Sequence, residues 1–194
     1  MGTDREKEIF LQIGKLLDYP TSHLEDQGVE AIQMVQAIAP EASVEIAEFV
    51  ESAGRISLGR MEEIYTSTFD VSPTCYIFAG YMLFGESFKR GEFLVGLQEK
   101  YAERNFSRGK ELADHLAVLF RFLATLDENE PLRAELLEDC MLPVITKMLA
   151  SFKSQTEREN PYAHLLRAIE GILEYFQGPT NGKVDKSVLK ESFA

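Results

Sequence analysis

The sequence predicts an all-α protein: a single compact domain of about eight or nine helices over residues 1–177, followed by a C-terminal tail over 178–194. Three observations carry this expectation. Apolar residues recur at spacings of three and four along most of the chain, the period of a helix face. No run of strict alternation rich in β-branched residues appears, so no sheet is expected. Pro and Gly fall between the periodic stretches, where helices stop.

Taken in order, Asp4 is positioned to cap a first helix with the face Ile9, Ile13, Leu16 and Leu17. Asp18-Tyr19-Pro20 ends it, because the residue before a proline is pushed out of the helical region. A short helix from Ser22 and another over 29–38 follow, stopping at Pro40. Residues 41–53 carry Val44, Ala47, Phe49 and Val50 in a helical pattern that Gly54 closes. Residues 58–69 form the next helix. Ser72 or Thr74 is a candidate cap for a helix carrying Tyr81 and Phe84. Gly85 and Gly91 bracket the start of the one after, lined by Phe93, Leu97 and Tyr101.

Residues 105–109 are polar and read as a loop. Leu112, Leu116, Leu119, Leu123 and Leu126 then make the cleanest amphipathic stripe in the chain, with Asp114 and His115 near its start. Asp127 to Pro131 is a turn that enters a helix with proline at its first position. Leu132, Leu136, Cys140, Ile145, Met148 and Phe152 face inward, and Pro143 predicts a kink or break just before it. Residues 153–159 form a charged loop. Asn160 caps a last long helix, Pro161 opens it, and Tyr162, Leu165, Ile169, Leu173 and Phe176 form its stripe. Residues 178–182 stop that helix, and the tail beyond forms a short helix or frays.

The composition is that of a water-soluble globular chain, 45% hydrophobic and 27% charged. No apolar run approaches the ~20 residues that cross a bilayer, and the charged N-terminus lacks the apolar core of a secretory signal. A cytoplasmic protein without direct membrane insertion is therefore expected. The net charge of -12 argues against nucleic acid as a partner and favours a basic or neutral one, besides keeping the protein soluble. Cys75 and Cys140 form no CxxC pair, and His23, His115 and His164 have no metal-ligand spacing, so both thiols are expected buried and reduced, with no metal and no cofactor.

Catalytic signatures are weak. Gly178 to Lys183 faintly resembles a phosphate-binding loop but is one residue short, has Val184 where Ser or Thr is needed, and follows no strand. Glu62-Glu63 and Glu138-Asp139 are neighbours that point about 100° apart on a helix, poor geometry for an acid–base pair. Asp114-His115 could tune a proton transfer, but adjacent helical residues diverge and no nucleophile lies close in sequence.

Four separated stretches resemble one family. Glu63-Ile64-Tyr65-Thr66-Ser67-Thr68-Phe69, with Asp70 after it, is similar to the Glu-x-Tyr-x-x-Leu-Phe motif of the TorD/DmsD/NarJ redox-enzyme maturation chaperones, Thr68 standing for the Leu. Tyr81 to Glu86 and Lys89-Arg90-Gly91 resemble the Tyr-x-x-x-Gly-Asp…Arg-Gly segment of the NarJ branch, the nitrate reductase molybdenum-cofactor assembly chaperones. Glu111 to Leu116 resembles its Glu-Leu-Pro-Asp-His-Leu, with Ala113 for Pro. Asn160 to Leu166 is similar to the Ser-Pro-Tyr-Ala-x-Leu-Leu near the family's C-terminal end.

The resemblance covers residues 5 to 177 and implies an all-helical, non-catalytic chaperone. Its expected partner is the catalytic subunit of a molybdenum-containing oxidoreductase, bound through that subunit's N-terminal signal or signal remnant and held until its cofactor is inserted. Peptide-binding residues are then expected among Glu63, Tyr65, Phe69, Tyr81, Phe84, Arg90, Asp114, His115, Leu116 and Tyr162. Tyr65, Phe69, Tyr81, Phe84 and Leu116 would line an apolar groove, and Asp114 and Glu63 would attract the basic end of the peptide from its rim. Two alternatives stand beside this reading: a structural, delta-type subunit retained in the mature complex, and an enzyme or nucleotide hydrolase. A monomer or a dimer swapped through the 105–109 or 153–159 loops is compatible with the chain.

Overall fold

Leu116–Leu123 is buried at every residue but Arg121, and the rest of the protein is arranged around it. The computed structural model describes residues 2–153 and 159–177. Its helices are α1 (Gly2–Leu16), α2 (Leu24–Val35), α3 (Pro40–Gly54), α4 (Leu58–Phe69), α5 (Ala79–Phe84), α6 (Phe88–Glu103), α7 (Leu116–Leu123), α8 (Pro131–Ala134), α9 (Leu142–Leu149) and α10 (Pro161–Gln177), with a π-helical segment, Glu135–Met141, joining α8 to α9. As continuous rods these are nine helices among the described residues. The all-α expectation holds. A helix that is apolar nearly all round belongs in the centre, and α7, with Arg121 its one charged residue, is such a helix. The amphipathic stripe expected there is thus corrected: Leu112 precedes the helix and is exposed, Leu126 follows it and is buried.

Around α7, α1 packs on α7 and α2, α2 on α3, α3 on α10, and α10 on α9. Ile9, Ile13, Leu16 and Leu17 are all buried, as their spacing predicts. Asp4 lies inside the first turn of α1 and so does not cap it, although its charge still suits that end of the helix dipole. The two helices expected over 22–38 are one, α2. In α3 the inward face is Ala42, Ser43, Ile46, Phe49 and Ala53, and Val44 and Ala47 point to solvent. The apolar residues of that segment were too many to decide the face by themselves.

Ser57 caps α4, its hydroxyl accepting from the Arg60 N–H. Neither Ser72 nor Thr74 caps α5, which starts at Ala79 behind an extended segment. In that segment Ile77 and Phe78 meet Asp114 to Leu116 in an isolated antiparallel bridge: the Ala79 N–H donates to the Asp114 carbonyl at 2.8 Å and the Leu116 N–H to the Ile77 carbonyl at 3.0 Å. Gly85 follows α5 at φ 63°, and Gly91 lies within α6 and not at its start. Phe93, Leu97 and Tyr101 are buried as expected.

Pro143 neither breaks nor ends its helix. Proline has no N–H to give and its ring crowds the carbonyl one turn back. The seven-residue π segment ending at Met141 widens the backbone just before it, and the rod continues into α9. Asn160 caps α10, its side-chain oxygen accepting from the Tyr162 N–H at 3.0 Å, and Tyr162, Leu165, Ile169 and Leu173 are fully buried. Cys75 and Cys140 are buried, free thiols. Among the described residues no helix is long and apolar enough to cross a membrane. The expectations for the 178–194 tail, the 178–183 loop and most of the 153–159 loop lie outside the described residues.

Candidate functional site

The end of α1, the C-terminal half of α4 and the bridge meet at a cleft of about 210 Å³. Tyr19, Tyr65, Phe69, Ile77 and Phe78 supply its apolar wall, Asp18, Asp70 and Glu111 its carboxylates, and His115 its remaining polar side. Each wall residue is held from behind. The Tyr65 hydroxyl donates to the Leu17 carbonyl at 3.3 Å, and its ring meets Tyr19, Phe69 and Tyr162 edge-on at 5.1 to 5.7 Å. Tyr19 is still 53% exposed, so one face of this aromatic group is open to a ligand.

His115 is the N-cap of α7. Its Nδ1 accepts from the Ala117 N–H at 3.2 Å, which leaves a neutral ring its proton on Nε2. Burial, helped by the Arg121 guanidinium, lowers its pKa from 6.5 to about 4, so the ring is neutral at physiological pH. Arg121 is itself paired with Asp18 at 2.6 Å, and burial raises the Asp18 carboxyl against that pairing.

Asp114 faces the other way. Its side chain is fully buried, and its Oδ2 accepts from Arg90 Nε at 3.2 Å. The Arg90 guanidinium lies 5.8 Å from the Phe78 ring centroid and 5.4 Å from that of Tyr81. Position 80 is tight: a Cβ there would stand 2.8 Å from Asp114 Oδ2 and 3.0 Å from the Phe93 ring, so a larger residue would have to displace the Asp114 carboxylate. Asp114 Oδ1 has no partner among the described residues.

The structure therefore divides the expected site residues. Tyr65, Phe69 and His115 line the cleft. Tyr81, Phe84 and Arg90 belong to a neighbouring cluster on α5 and α6, half-buried, and do not line it. Leu116 is wholly inside the core on α7 and cannot form a groove wall. Tyr162 is equally buried, packed against Phe49, Tyr65 and Phe69, and supports the cleft from beneath. Asp114 is not a rim acid, because it is buried and already paired. Glu63 is exposed but bonded to Arg60 at 2.7 Å, one helical turn away. The carboxylates at the cleft are Asp18, Asp70 and Glu111, which sequence reasoning passed over, as it did Tyr19 and Phe78. A trace was present: Tyr19 stands in the Asp18-Tyr19-Pro20 turn, where a large aromatic ends a helix without joining its apolar face.

Thr68, which stands where the motif has Leu, is fully buried and polar. Its hydroxyl donates to the Ile64 carbonyl at 2.6 Å and accepts from Asn160 Nδ2 at 2.8 Å. Two motifs far apart in sequence are thereby tied together: the end of α4 and the cap of α10.

A family model described as nitrate reductase delta subunit matches residues 35–167, from the end of α2 into α10. The chain belongs to that family. A Bacillus subtilis (strain 168) protein, named "Probable nitrate reductase molybdenum cofactor assembly chaperone NarJ", is 26% identical over 180 residues, covering 90% of this chain and 92% of its own. A crystal structure from Archaeoglobus fulgidus, named "Putative Redox Enzyme Maturation Protein", has a TM-score of 0.59 at 20% identity, over 87% of this chain and 93% of that one, and shares the fold. In this delta-subunit family member the matched segment contains α4, the bridge and α7, while Asp18 and Tyr19 enter the cleft from before it.

Proposed function

We propose that this protein is a NarJ-type redox-enzyme maturation chaperone, non-catalytic, that works in the cytosol on the catalytic subunit of a molybdenum-containing oxidoreductase. The membership of the delta-subunit family and the likeness to a NarJ chaperone support this role. The finer reading is that the cleft at His115 receives the N-terminal signal, or its remnant, of that subunit before cofactor insertion. The observation that carries it is an open aromatic wall with carboxylates around it, because a signal segment joins an apolar stretch to a basic end. A cleft of about 210 Å³ has room for one or two large side chains, so the rest of the peptide would run along the surface past Asp70 and Glu111. Burial pushes the Cys75 and Cys140 thiols up to about 12, which makes poor nucleophiles of both and suits a binding role.

The description "delta subunit" favours a second reading, in which the chain stays in the mature complex as a structural subunit. One experiment separates them. The tagged chain is recovered from anaerobically grown native cells and its partners are identified, with their molybdenum content measured. A catalytic subunit without cofactor supports the chaperone, and a complete, cofactor-loaded complex supports the structural subunit. For the cleft itself, Tyr19→Ala and the pair Asp70→Asn/Glu111→Gln are each expected to weaken binding of the subunit's N-terminal peptide about tenfold. Unchanged affinity in both would move the site elsewhere.

A further inference from the structure

The outer face of α6 is a second surface, and no residue lining it lines the cleft at His115. Phe88 is 83% exposed and Val95 is 56% exposed, one helix face apart, with Gly91 between them. A Cβ added at Gly91 would meet nothing within 4 Å, so the space above it is open. Across from this face stand Pro131 and Leu132 at the start of α8, and the groove between holds about 970 Å³.

Its charge is unbalanced. Glu92, Glu99, Glu103, Glu130 and Glu135 line it against Lys100 and Arg104. Both cations are engaged within the protein, Lys100 with Glu103 at 3.2 Å and Arg104 with Glu130. Glu92 and Glu99 are exposed on either side of Val95.

We propose that this groove docks a basic amphipathic helix of a partner protein. Phe88, Gly91 and Val95 are spaced by three and four, and a helix with apolar residues at the same spacing would interlock with them. Lysines or arginines beside its apolar stripe would meet Glu92 and Glu99. A second copy of this chain is the poorer occupant, because it would bring a net charge of -12 to an already acidic groove.

The test uses the full chain, isotopically labelled, and a synthetic Leu/Lys amphipathic helix of about 18 residues, with a Leu/Glu counterpart and a scrambled Leu/Lys control. The Leu/Lys helix is expected to bind, with backbone resonance shifts confined to α6 and the start of α8. Glu92→Lys/Glu99→Lys should raise Kd at least about tenfold, and Phe88→Ser about fivefold. All three positions are exposed, so these variants keep the fold. His115→Asn should leave this Kd unchanged, which separates the groove from the cleft. Equal binding of the scrambled peptide, shifts centred on the cleft, or insensitivity to Glu92→Lys/Glu99→Lys would overturn the proposal. So would sedimentation showing a dimer that Phe88→Ser dissolves, since that assigns the groove to a second copy.

Discussion

The cleft at His115 and the groove along α6 are built from opposite materials. The cleft is walled by side chains locked from behind: Tyr65 bonds to the Leu17 carbonyl, His115 caps α7, and Phe69 is 1% exposed. The groove has its apolar side open to solvent, where Phe88 and Val95 project from α6. Residues in the cleft thus carry stability beside the recognition proposed for them, whereas the exposed residues of the groove can be changed with little effect on the fold. Two of the four motifs, Glu63 to Phe69 and Glu111 to Leu116, contribute residues to the cleft, while the Tyr81 to Gly91 motif reaches the groove at Gly91.

This contrast is broken or sharpened by three substitutions. The largest effect is expected at the joint behind the cleft. Arg90→Ala leaves Asp114 buried with no counter-charge, and stability should fall by about 3–5 kcal/mol in chemical denaturation. A loss below about 1 kcal/mol would mean that the pair is dispensable and that Arg90 is free for a ligand.

His115 comes next. Its pKa drops from 6.5 in the unfolded chain to about 4 in the fold, so below pH 6.5 the unfolded state takes up a proton that the folded state refuses. Stability should therefore fall as the pH goes from 6.5 to 4 and show no further loss from this group below that, in total about 3 kcal/mol. Asp18, whose pKa is raised, works against part of this loss in the acid range. The comparison with His115→Asn isolates the imidazole, because Asn can keep the cap and does not titrate. Parallel pH profiles for the two proteins would show that the ring is not buried neutral.

The smallest effect is expected beneath the cleft. The Tyr162 hydroxyl is buried and has no hydrogen-bond partner among the described residues. Tyr162→Phe should be neutral or stabilising by up to about 1 kcal/mol, read from the thermal midpoint. A clear loss of peptide affinity with stability unchanged would restore Tyr162 to the binding surface.

Much of the fold was legible in the chain. Ile9, Ile13, Leu16 and Leu17 on α1, and Tyr162 to Leu173 on α10, obey one period and have one buried face. The candidate site was legible only in part. Tyr65, Phe69 and His115 reach one cleft because the bridge at Phe78 turns the segment before α7 across the end of α4. Asp114, one residue from His115, is sent into the interior where the turn at 113–114 runs into the bridge at His115. A helical reading of residues 111–116 could not foresee that.

The sequence by itself determined the all-helical class, the cap at Asn160, the irregular backbone before Pro143 and the family. Each rests on local chemistry: a period of 3.6, a side-chain acceptor before a proline, a missing N–H, and motifs in order. Only the tertiary structure decided which apolar residues are core and which are surface. Leu116 and Phe88 are alike in a sequence pattern, yet one is 0% exposed and the other 83%, because burial depends on which helix packs across from each.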